Sequence, residues 1–162
     1  MKLAVAGVIV LRHRAVDEPI DFPIYLITVA LGFAALENTL FVLTPLGNGE
    51  LLGSFITGNL RFLGATLIHV LSSAVIGGAL GFAFFKGNFT KLWYGLWGVI
   101  LATLLHTIFN FTIINTQADY LLTVFTGVWV GIVFLLLLLE RVKLLKRPAW
   151  WEKMFTSKKR GK

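Results

Sequence analysis

Four apolar runs dominate this chain, at residues 22–43, 61–85, 92–114 and 120–139. The hydrocarbon core of a bilayer is about 30 Å thick, so a helix rising 1.5 Å per residue needs about 20 apolar residues to cross it. Each run meets that length. The expected fold is all-α, a polytopic transmembrane helix bundle with four full spans in one membrane domain, residues 1–162. Composition agrees: 57% of the 162 residues are hydrophobic and 14% charged, too few charges to cover the surface of a soluble domain of this size.

The links carry helix breakers: Pro45, Gly47, Asn48 and Gly49, then Gly87 and Asn88, then residues 115–119. Basic residues orient the bundle. Nine of the fifteen Lys and Arg fall within 140–162, which marks that tail as cytoplasmic. Alternation then places 115–119 and 44–60 outside. It places 86–91, with Lys86 and Lys91, on the inside together with Arg12 and Arg14. The expected location is the cell membrane, with the lipid bilayer as the chain's first partner. The tail's charge reads as a topology signal and a contact for anionic lipid, and no nucleic-acid partner is expected. Trp150 and Trp151 read as an interfacial anchor. There is no Cys, which excludes disulfides and Cys-ligated zinc.

Residues 3–11 form an apolar run that ends at Arg12 and is too short to span. It reads as the cytoplasmic half of a truncated first helix, an N-terminal half-span.

Polar residues inside the runs are the next constraint. Glu37 lies about 9 Å from the outer end of its expected helix, and His69 and His106 lie about 12 Å from the outer ends of theirs, at 1.5 Å per residue. Asn110 follows one turn from His106. Ala30 and Ala34 lead up to Glu37 and Asn38. Ala65, His69, Ser73, Gly77 and Gly81 recur every four residues, as do Gly98, Ala102, His106 and Asn110. Small residues at that spacing let membrane helices approach closely, so the polar groups are expected to face other helices. A buried Glu costs a few kcal/mol on insertion scales and marks a functional site by default.

Glu beside two His is equipment for activating water. Glu37 can serve as general base, the His can bind a metal or stabilise an oxyanion, and Asn110 can donate to that oxyanion. A structural polar network and an ion or proton path remain alternatives. The chain has no HExxH, no GxSxG and no pair of intramembrane Asp.

In the order of these residues the chain resembles the PrsW family of intramembrane proteases, within the wider group of CAAX-type (Abi) membrane peptidases. "FAALE" supplies Phe33 and Glu37 as FxxxE, "RFLGATLIH" supplies Arg61 and His69, and "HTIFN" supplies His106 and Asn110 as HxxxN. The approach "DEPIDFPIYLITVALGFAALEN", with Asp17, Glu18, Pro19, Asp21 and Tyr25, also looks like the family's. The resemblance covers roughly residues 1–115. Its first motif, EExxK, is the departure: Lys2 stands where its Lys falls, and the two glutamates are expected just upstream of Met1.

The resemblance implies cleavage of a membrane-anchored protein near its outer face, with an anti-sigma factor as the type of substrate. It implies catalytic roles for Glu37, His69, His106 and Asn110, with Lys2, Phe33, Asn38 and Arg61 in support. It leaves open a divalent metal such as zinc on His69, His106 and Glu37 or a metal-free glutamate mechanism. Lacking the glutamates, the chain as given is expected to cleave little or nothing. Two other functions compete: a non-catalytic membrane scaffold or immunity protein of the same fold, and a small proton-coupled transporter using Glu37.

Overall fold

A computed structural model describes residues 16–115 and 121–151. The expected half-span at 3–11, Lys2 and the last part of the basic tail lie outside these residues. The described residues fold as helices: α1 (Asp21–Gly47), α2 (Leu51–Arg61), a π-helical turn (Phe62–Thr66), α3 (Leu67–Phe82), α4 (Asn88–Asn115) and α5 (Leu121–Lys143). Four helical stretches are long and apolar enough to cross a membrane: Asp21–Gly47, Phe62–Phe82, Asn88–Ile113 and Leu122–Lys143. The fold is thus an all-α polytopic bundle, and the protein is an integral membrane protein.

The segment 44–60, expected as a loop, is mostly helix. α1 runs through Pro45 to Gly47, a tight turn follows with Gly49 at φ +81°, and α2 starts at Leu51. Pro45 stands only two residues before the end of α1, so it disturbs little. Leu51, Leu52 and Phe55 of α2 are exposed apolar residues, as suits a segment beside lipid. Gly53 and Gly58 lower its helix propensity in the sequence.

α3 is the centre of the bundle. Half of its apolar span is buried, against 11–17% for the other three spans. One face packs Ile76 and Leu80 with Phe22 and Leu26 of α1 and Ala102 of α4. The other packs Ile68, Leu71 and Ala74 with Phe109 of α4 and with Val128 and Leu135 of α5. Small residues set these distances. A Cβ on Gly77 would stand 2.3 Å from Pro23 Cα, and one on Gly81 would stand 2.7 Å from the Pro19 carbonyl oxygen. A Cβ on Gly98 would meet Ile76 Cα at 3.2 Å.

The stretch "DEPID" therefore has a structural task. Asp21 Oδ2 accepts the backbone N–H groups of Glu18 (2.8 Å) and Asp17 (3.0 Å), which folds the approach to α1 into a turn. That turn lays Pro19 and Pro23 on the glycine face of α3. Trp151 packs near the same end, against the rings of Phe84 (5.5 Å) and Phe85 (5.4 Å). Hydroxyls on the exposed helix faces bond within their own helix. Thr28, Thr39, Thr112 and Thr126 each donate to the carbonyl four residues back, at 2.7–2.9 Å, so no polar group is left facing lipid unpaired at these positions.

Candidate active site

α1, α3 and α4 line a half-open cavity of about 280 Å³. Glu37 enters it from α1, His69 from α3 and His106 from α4. His69 Nε2 and Glu37 Oε2 are 2.7 Å apart; with hydrogen on Nε2, the imidazole donates to the carboxylate. The side chains are 14% and 28% exposed, so this charge-bearing pair is mostly withdrawn from its surroundings. The His69 and His106 rings lie 5.0 Å apart between centroids. Phe33, one turn before Glu37, stands edge-on to the His69 ring at 5.6 Å and limits its rotation.

The π-helical turn explains how α3 presents these groups. Thr66 ends the turn and His69 follows three residues later, so both face α1. Asn38 Nδ2 donates to Thr66 Oγ1 at 2.9 Å, one residue along from the Glu37–His69 contact. Two adjacent residues of α1 thus hold two residues of one face of the neighbouring helix. Wide π turns occur often at functional sites because they re-aim side chains.

The expected site residues divide. Glu37, His69 and His106 line one cavity, and Phe33 and Asn38 contact their surroundings as described. Asn110 is exposed and is not among the residues lining the cavity, although it sits one turn from His106. The side chain of Arg61, the last residue of α2, lies outside the described residues with Lys2. The sequence reading passed over Thr66, Ser72, Thr103 and Thr107. The last three line the cavity, and each of the four lies within one turn of a site His, which is the signal that marks them. The hydroxyl of Ser72 is buried and without a hydrogen-bond partner among the described residues, as is Asn38 Oδ1. Orphaned polar atoms of this kind beside a cavity are places for water.

The donors suit a metal in kind, two His and one Glu. Their arrangement does not. Two ligands on a tetrahedral zinc at about 2.0 Å stand about 3.3 Å apart, whereas Glu37 and His69 are in direct hydrogen-bond contact at 2.7 Å. Among the described residues no three His, Cys, Asp or Glu are grouped so as to hold a metal ion.

These features define a class: a helical membrane protein with a Glu–His pair and a second His in a cavity between three spans. The sequence pattern of the PrsW family, described as intramembrane metalloproteases, matches residues 1–139, and the chain belongs to that family. It is similar to Protease PrsW of Geobacillus kaustophilus (strain HTA426), at 31% identity over 108 residues, 65% of this chain and 43% of that protein. The matched stretch is thus less than half the length of that relative. No solved structure matches the chain.

Proposed function

We propose that the protein is an intramembrane endopeptidase that hydrolyses a peptide bond in a membrane-anchored protein. The observation that carries this reading is the Glu37–His69 contact, with His106 beside it, in a cavity large enough for several waters at about 30 Å³ each. The family supports it.

In the proposed reaction a water in the cavity attacks the scissile carbonyl and gives its proton to the Glu37 carboxylate. His69 holds that carboxylate in place through Oε2. His106 donates to the oxygen on which negative charge develops. The proton taken by Glu37 then passes to the leaving amine as the C–N bond breaks. Ser72, Thr103 and Thr107 supply hydroxyls that orient the water. None of these steps is drawn through the metal named in the family's description.

The substrate is proposed to be a single-span protein of the anti-sigma-factor type, cut near the outer face of the cell membrane, with the enzyme's C-terminus in the cytoplasm. Reporter fusions at Asn48 and Gln117 are then expected to read as external and one at Asn88 as cytoplasmic. An external reading at Asn88 would reverse the orientation.

The test of function is cleavage of a tagged single-span protein in proteoliposomes. It compares the 162-residue chain with a form extended upstream by a full first helix in which two glutamates precede Lys2 so that Lys2 completes EExxK. Cleavage is expected in the extended form. Equal rates in both forms would show that Glu37 suffices, and no cleavage in either would sink the reading.

Asn110 supplies a separate check. An oxyanion donor is worth about 10²–10³ in kcat. Because Asn110 is exposed and outside the cavity lining, Asn110→Ala is expected to cost less than about tenfold. A loss in the oxyanion range would place its amide in the site during turnover.

A further inference from the structure

A second cavity, of about 550 Å³, lies on the opposite side of α3 from α1. Ala74, Gly78 and Ala79 of α3 form its floor, Trp93, Trp97 and Leu101 of α4 one wall, and Leu135 and Leu138 of α5 the other. It is almost wholly apolar. It also has a direction. From Phe82 to Ala74 on α3, and from Trp93 to Leu101 on α4, it runs about 12 Å at 1.5 Å per residue. One leaflet of the hydrocarbon core is about 15 Å deep. The groove thus extends from one membrane surface most of the way to the midplane.

The surface end is cationic and aromatic. Tyr94 lines the groove, and Lys86 Nζ donates to its hydroxyl at 2.7 Å. Lys91 sits one turn before Tyr94, with its Nζ 5.7 Å from the Phe84 ring centre. Trp93 places an amphipathic ring at the same rim, as residues at a membrane interface do. Glu140, two residues beyond Leu138, is paired with Lys143 at 3.7 Å. An apolar slot of leaflet depth, with the Lys86 ammonium at the rim residue Tyr94 and the Lys91 ammonium over the nearby Phe84 ring, matches a molecule with one anionic head and a long apolar tail.

We propose that this groove is a binding site for an anionic phospholipid, with its phosphate at Lys86 and Lys91 and one acyl chain along the floor made by Ala74, Gly78 and Ala79. No residue that lines this groove lines the Glu37 cavity.

Nanodiscs containing phosphatidylglycerol with a photoreactive group on one acyl chain test it. Labelling is expected on Trp97 and Leu101 in clear excess over Val130 and Phe134, which are exposed on a different face. Gly78→Leu fills the slot without a backbone clash, since a Cβ there meets nothing nearer than Leu139 Cδ2 at 4.0 Å. It is expected to remove labelling from Trp97 and Leu101 and leave it at Val130 and Phe134. Lys86 is exposed and Lys91 half-buried, and Lys86→Gln and Lys91→Gln remove the charge without adding bulk. Each is expected to lower the preference for phosphatidylglycerol over phosphatidylcholine by about fivefold, from about 1 kcal/mol per basic residue near the membrane surface. Even labelling of both faces, or an unchanged headgroup preference in the double lysine variant, would overturn the proposal. So would occupation of the slot by a co-reconstituted single-span helix in place of lipid, which would make it a protein-docking face.

Discussion

Glu37→Gln is expected to lower cleavage of the tagged substrate about 10²–10⁴-fold, the usual worth of a positioned general base, while the protein stays folded in the membrane. The substitution is nearly isosteric. The amide oxygen can still accept from His69 Nε2 across the 2.7 Å contact, so the α1–α3 packing has no reason to change. What is lost is the ability to take a proton from water. His69→Ala is expected to reach a similar loss by a different route: the carboxylate, 28% exposed, loses the His69 contact that helps to fix its orientation. His106→Ala removes the proposed oxyanion donor and is expected to cost about 10²–10³. Cleavage of the tagged substrate reads all three, with size-exclusion profiles in detergent to show that each variant is folded. Wild-type turnover in Glu37→Gln would remove Glu37 from the chemistry and leave the Glu37–His69 pair as a structural bond between α1 and α3.

Gly77→Ala is expected to destabilise the bundle by about 1–3 kcal/mol or more, the cost of overpacking a tight contact. The added carbon would lie 2.3 Å from Pro23 Cα and 2.6 Å from Pro23 N. Carbon atoms pack at about 3.5–4.0 Å, and backbone atoms cannot rotate away, so the start of α1 must move by more than about 1 Å. The same movement shifts Phe22 and Leu26 out of the core that they share with Ile76 and Leu80. Activity is expected to fall with stability. Gly32→Ala is the comparison, because nothing lies within 4 Å of a Cβ at Gly32. Thermal unfolding in detergent measures both variants. Equal midpoints would mean that α1 and α3 do not approach each other as closely as the structure has them.

The sequence alone determined the fold class, the number of spans and the residue types at the site. The reason is physical. The bilayer is the solvent, its thickness sets helix length, and a carboxylate or imidazole inside an apolar run is costly enough to stand out. The recurrence of small residues also announced close helix contacts, and Gly77, Gly81 and Gly98 make them.

Tertiary structure decided the rest. Lipid tails are as apolar as Leu, so a membrane helix can be equally apolar on every side, and packing alone sets which face turns inward. The sequence shows equally little of where a cavity ends along a helix: His106 lines it, while Asn110, one turn further along the same face of α4, is exposed beyond the lining. The purpose of Pro19 and Pro23 likewise emerged only when they were found on the glycines of α3. The π turn at Phe62–Thr66 sits in an apolar run with no Pro, and what sets it apart is close packing around Gly64, where an added Cβ would meet the Phe109 and Phe125 rings at 3.2 Å. The 2.7 Å contact between Glu37 and His69 depends on the tilt and crossing of two helices whose outward faces are equally apolar.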